Sequence, residues 1–204
     1  MSSVTDYLTK RGLVRPPSFL NDNIHYEAVM GSVCYGVSTE FSDFDVVGFC
    51  IPPKHVIFPH LNGEIQGFGK QGQKFNVYQQ HHINDSDALN GKGRVYDINI
   101  YSIVSYFQLC MDNNPNMLDS LFAPADCVLH CTKIGNMIRD KRRDFLHKGA
   151  WHRFKGYAFQ QIKKMHNSSE ARKDFIATCR RCDVPSGTSL EEIDTELKRR
   201  GLVK

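Results

Sequence analysis

The sequence predicts an α/β (α+β) fold: a small sheet flanked by helices, followed by a helical C-terminal region. Three observations predict it. Four short segments, 25–31, 44–51, 74–83 and 95–101, alternate or are rich in β-branched and aromatic residues, as strands are. Apolar residues at 103, 104, 107 and 110 recur at helical spacing. Beyond Pro124, the stretches 130–147 and 155–167 read as helices. A length of 204 residues is enough to bury a sizeable core, and we read 1–126 as that core and 127–204 as the helical region.

The elements follow in order. HYEAVMG (25–31) alternates into a Gly-Ser turn at Gly31-Ser32, which is expected to open a helix or turn. FDVVGFCI (44–51) is a strong strand that Pro52-Pro53 ends. The glycine-rich stretch 59–74 reads as a long loop or hairpin tip, KFNVYQQHHI (74–83) as a further strand and NDSDALNGKGR (84–94) as a polar connection. VYDINIY (95–101) alternates and gives way to the helix over 102–111, which Asn113-Asn114-Pro115 stops. Near the C-terminus, Ser189 and Glu192 have capping-box spacing.

Composition narrows the function classes. With 41% hydrophobic and 24% charged residues the chain is globular rather than disordered. A formal charge of +4 is compatible with anionic substrates. No apolar run approaches the ~20 residues of a membrane helix, and no leader is evident at the N-terminus. Seven cysteines, an odd count spread through apolar strings, fit reduced buried thiols and a cytoplasmic protein. Cys127, Cys131, Cys179 and Cys182 have spacing a zinc site could use, but no turn glycines flank either pair, and buried thiols are the expectation.

The chemistry concentrates in three places. Asp43 and Asp45 lie two apart on a strand, so both carboxylates are expected on one face. Two such charges raise one another's pKa unless a cation sits between them, and oxygen ligands suit magnesium. Gly31 would let a phosphate approach the backbone, with the Ser32 hydroxyl adding a hydrogen bond. Asp97 either completes a three-carboxylate cluster or caps the helix that begins near Ser102. A Gly-Ser turn, paired acids and a distant third acid are the equipment of metal-assisted phosphoryl transfer. His81 and His82 are expected on opposite strand faces and so form no joint chelate. The basic runs RDKRRDF (139–145) and FQQIKKMHN (159–167) read as solvated helix faces, with a phosphate-binding surface as the alternative.

GSVCYGVSTEFSDFDVVGF (31–49) resembles the signature of the DNA-polymerase-β-type nucleotidyltransferase superfamily. YDINIYSIVSYFQLCMDNNPNMLDSLFAP (96–124) and FLHKGAWHRFKGYAFQQIKKM (145–165) are similar to its RNA-repair-pathway branch, common in bacteria and phages. The resemblance spans roughly 25–165 and implies a small mixed nucleotidyltransferase sheet flanked by helices. It places Gly31 and Ser32 on the nucleotide phosphates, Asp43 and Asp45 on Mg2+ (or Mn2+), and Asp97, by strand position, as the third metal-binding and catalytic carboxylate. Asn114, Pro115 and Asn116 match a family motif, expected to form a turn near the site with amides free to bond substrate. The implied reaction moves a nucleoside monophosphate from a nucleoside triphosphate to a hydroxyl, releasing pyrophosphate. An RNA end, another nucleic-acid end, a protein side chain or a small molecule could be the acceptor. Family members are expected to continue past the position of Lys204 with a helix carrying His and Arg. The 127–204 region is therefore read as incomplete, or as a tail standing in for that helix. A catalytically silent nucleotide- or RNA-binding module is the alternative.

Overall fold

The strand β1 (Ile24–Val29) is followed by a single helical turn, α2 (Gly31–Cys34), and then by β2 (Phe44–Cys50). Ahead of them lies α1 (Val4–Lys10). After them come α3 (Lys54–Ile57), β3 (Val77–Asp85), the turn α4 (Ala88–Gly91) and β4 (Arg94–Ser102). The chain continues through α5 (Ile103–Met111), α6 (Pro115–Phe122), β5 (Val128–Cys131), α7 (Lys133–Asp140) and α8 (Gly149–Asn167). This is a computed structural model, and it describes residues 2–39, 42–58 and 75–167. The chain divides into two compact units, Met1–Arg153 and Phe154–Lys204, and the described part of the second is the remainder of α8. The 59–74 loop, Ser189, Glu192, Cys179 and Cys182 lie outside the described residues.

The five strands form one mixed sheet in the order β3-β4-β2-β1-β5. β2 and β4 are parallel, and the other neighbouring pairs are antiparallel. Period-two alternation splits the side chains between two faces. On the first face Val46, Cys50, Ile98 and Ile100 pack with Leu8, Val14 and Leu20 from the N-terminal segment. On the second, Phe49 stacks on Tyr26 at 5.7 Å and meets Tyr106 of α5 at 5.0 Å.

Two buried acids pin the N-terminal segment. Glu27, wholly buried on β1, accepts hydrogen bonds from Val4 N (2.6 Å), Thr5 N (3.2 Å) and Thr5 Oγ1 (2.6 Å). Its carboxylate thereby satisfies orphan donors in the first turn of α1. Asp85, also buried, pairs with Arg11 at 3.1 Å and accepts from Tyr7 Oη at 3.1 Å. The first face is thus covered by the chain's own N-terminus.

Helix starts carry side-chain caps where the sequence offers them: Ser102 on α5, Asn114 with Pro115 in the first turn of α6, and Thr132 on α7. The expected helix over 130–147 is overturned in part. His130 and Cys131 belong to β5, because 128–131 pairs along Tyr26–Ala28 before Thr132 starts α7. Asn114 uses its Oδ1 to cap α6, accepting from Met117 N at 3.4 Å.

Asn113 locks the corner between α5 and α6. It is fully buried at φ 52°, a conformation asparagine tolerates. Its Nδ2 donates to Phe145 O at 2.9 Å and Cys110 O at 3.1 Å, and its Oδ1 accepts from His147 N at 3.4 Å. Asn113→Ala is expected to lower unfolding free energy by about 2 kcal/mol, because buried carbonyls lose their donor. Urea denaturation checks this, and a change under about 0.5 kcal/mol would show the corner carries no such weight.

Candidate functional site

The site is built where β1 ends. Met30 N donates to Asp45 O at 2.8 Å, closing the β1–β2 ladder. The chain then turns at Gly31 with φ 63°. A Cβ placed on Gly31 would lie 2.1 Å from Asp45 Oδ2, so the glycine makes room for that carboxylate. A phosphate was expected to approach Gly31; the group that lies against it here is the protein's own Asp45 carboxylate. Ser32 follows in the first turn of α2, where backbone N–H groups lack helical partners.

Asp45 and Asp97 are directly opposite one another on the parallel strands β2 and β4. Parallel strands in register present equivalent residues to the same face, so both acids share the face of Phe49 and Tyr101. Asp43 lies one residue before β2 and is exposed. Burial raises the Asp45 pKa first, then the charges of Asp97 and Asp43 raise it further, and His81 lowers it. The three acids therefore form one electrostatic cluster around Asp45.

Asp97 is not a helix cap. It sits in mid-β4, and Ser102 supplies the cap of α5 by accepting from Ser105 N at 3.2 Å. Both Asp97 oxygens are instead engaged by β3. His82 N donates to Oδ1 at 2.7 Å, and His81 Nδ1 lies 3.1 Å from Oδ2. A bulge makes this possible: the β3–β4 register shifts between Gln80 and Ile83, and His82 takes φ 54°. For a residue other than glycine that conformation costs about 1–2 kcal/mol. Sequence reasoning set both histidines on opposite faces of a regular strand and so missed His81. The unbroken polar run QQHH inside a strand was the available signal.

Asn99 follows Asp97 on the same face, opposite Gln79 of β3, and its Oδ1 is buried without a hydrogen-bond partner. Among the described residues, no group of three or more His, Cys, Asp or Glu side chains is arranged to hold a metal ion. Cys127 is buried and Cys131 Sγ contacts Asn136 Oδ1 at 3.2 Å, while Cys179 and Cys182 of the possible zinc set lie outside the described residues. A cavity of about 500 Å³, whose lining includes Ser38, Thr39, Ser42, Phe44, Lys92 and Arg94, takes in none of the three acids. Phe44 points to the face opposite Asp45, with the Arg94 guanidinium 4.6 Å above its ring.

The basic run 139–145 is not simply a solvated face. Arg139 donates to Ala123 O at 2.6 Å, and Arg142 donates to Arg139 O at 2.6 Å while lying 5.3 Å from the Phe122 ring centre. Lys141 and Arg143 are the exposed cations of the run. No helix among the described residues is long and apolar enough to cross a membrane.

No curated protein and no solved structure matches the chain. A family model does, over residues 15–181, taking in β1 through α8 and every acid of the cluster. That is most of the sequence, and the chain belongs to the RNA repair pathway DNA polymerase beta family.

Proposed function

We propose that the chain transfers a nucleoside monophosphate from a nucleoside triphosphate to a hydroxyl acceptor, an RNA end in the setting the family name implies, and that it does so with magnesium or manganese. One observation carries the reading: Asp45 and Asp97 face each other in register, with Gly31 folded against Asp45. The residues fit a hard divalent cation. Asp45 is held above its ordinary pKa by burial and by neighbouring acids, which is the strain a cation relieves. Magnesium keeps several waters and takes substrate phosphates as ligands, so two or three carboxylates suffice without an all-protein cage.

Asp43, Asp45 and Asp97 would hold the metal. Bound there, it would neutralise the triphosphate and acidify the acceptor hydroxyl. The chain's own groups do the remainder. Ser32 Oγ and the backbone N–H groups of the α2 turn bind phosphate oxygens. Asp97 Oδ1 and Oδ2 each keep a lone pair beyond the bond from β3, and one of them accepts the hydroxyl proton. The N-terminal segment over the opposite face holds β2 and β4 in place while this happens.

The test is incubation of the chain with each labelled nucleoside triphosphate, Mg2+ or Mn2+, and mixed RNA, DNA and protein acceptors. Label should move to a hydroxyl with release of pyrophosphate. Binding of triphosphate without any transfer would sink the enzyme reading and leave a binding module. Asp97→Ala sharpens the assignment: transfer should be lost, while triphosphate affinity, still supported by Asp43, Asp45 and the α2 turn, should fall far less. Retained transfer would remove Asp97 from the reaction.

A further inference from the structure

We propose that His81 is a positioning residue for the Asp97 carboxylate, and that the bulge in β3 exists to bring it there. The inference rests on the proposed function, because it concerns how one of that site's acids is held. In a regular antiparallel ladder one β3 residue would oppose Asp97. The shift between Gln80 and Ile83 sets two consecutive residues, His81 and His82, against it. They give it different donors: a backbone N–H to Oδ1 at 2.7 Å and an imidazole to Oδ2 at 3.1 Å. An ionised carboxylate only accepts, so His81 must carry its proton on Nδ1.

The two bonds fix both the rotation of the carboxyl group and its distance from Asp45 on the neighbouring strand. A carboxylate on a single C–C bond otherwise turns freely, and groups that hold a ligating carboxylate matter nearly as much as the ligand. His81 packs nothing essential: its side chain is 43% exposed. Its ring contact is with His82, 6.5 Å between centroids. Its placement is therefore explained by Asp97 and not by the core. A backbone turned to positive φ at His82, beside an acid of the cluster, is the kind of local strain that persists where surrounding structure demands it.

The test compares His81→Phe, which removes the donor, with His81→Asn, whose Nδ2 stands where Nδ1 stood. Mn2+ affinity is read from the free-ion EPR signal of the full chain, and kcat and KM from the transfer reaction. His81→Phe should weaken Mn2+ binding and lower kcat about tenfold or more, with KM for the triphosphate little changed. His81→Asn should recover most of both. If the phenylalanine variant loses its fold, His81→Ala removes the donor without placing a ring, and the same losses are expected. Asp97→Asn is measured alongside. If it loses Mn2+ affinity while the donor-less His81 variants match wild type, the positioning role is overturned and the site assignment stands. Failure of His81→Asn to recover either quantity also overturns it. If Asp97→Asn itself binds Mn2+ and transfers as wild type does, the reading of the site has failed and the inference falls with it.

Discussion

Asp45→Asn is expected to abolish transfer while making the chain harder to melt. The loss should be about 10³-fold or more, equivalent to about 4 kcal/mol, because the amide removes a charge that the metal and triphosphate need. The gain in stability comes from the same change. In the folded chain the Asp45 pKa is raised by burial, then by Asp97 and Asp43. A carboxyl raised on folding favours the folded state below its unfolded pKa, and that contribution is lost as pH rises through the folded value. At neutral pH the ionised acid therefore works against the fold, and an uncharged amide does not. Thermal melts of the metal-free chain should show a higher Tm for the variant at pH 7 and a gap that closes as pH falls below the carboxylate range. A lower Tm at pH 7 would show that burial and the neighbouring acids place no strain on ionised Asp45.

Gly31→Ala should be nearly as damaging by a different route. The methyl group would stand 2.1 Å from Asp45 Oδ2, on a backbone held at φ 63°. The conformation alone costs about 1–2 kcal/mol of stability for any residue with a Cβ. The collision is relieved when the Asp45 carboxylate swings away, because it is the free end of a side chain. Transfer should then fall by about 10²–10³-fold, the scale of losing one preorganised group, with a lowered Tm. The double variant Gly31→Ala, Asp45→Asn should transfer no worse than Asp45→Asn alone, since both changes act on one carboxylate. Additive losses in rate would mean that Gly31 serves something other than Asp45.

The core strands were legible because their signals are local. FDVVGFC carries β-branched and aromatic residues in one run, and β4 alternates cleanly from Tyr96 to Ser102. β5 was not legible, since VLHC is four residues long and becomes a strand only by pairing along β1. The start of β2 at Phe44 was legible too, but Asp43 was expected to share the strand face of Asp45, and it lies exposed just outside the ladder. Gly31 was singled out as the place for a close approach. The approaching carboxylate lies fourteen positions away in sequence, and only the β1–β2 pairing brings it in. The bulge at His81-His82 is a relation between two strands, so no reading of β3 alone could locate it.

The parallel seam between β2 and β4 also sets when this site can exist during folding. β3 and β4 join through eight residues (86–93) and β1 and β2 through fourteen (30–43), so each of those pairs closes a shorter loop than the 43 residues (51–93) between β2 and β4. Asp45 and Asp97 belong to different pairs, and their seam closes only after the chain between β2 and β4 has been looped back. Such a non-local contact is slow to form, because the entropy of the loop is lost before the pairing compensates for it. An unfinished molecule can therefore hold both of those strand pairs and still lack the facing acids of the candidate site. Whatever binds across the seam selects the finished chains and holds them closed by mass action.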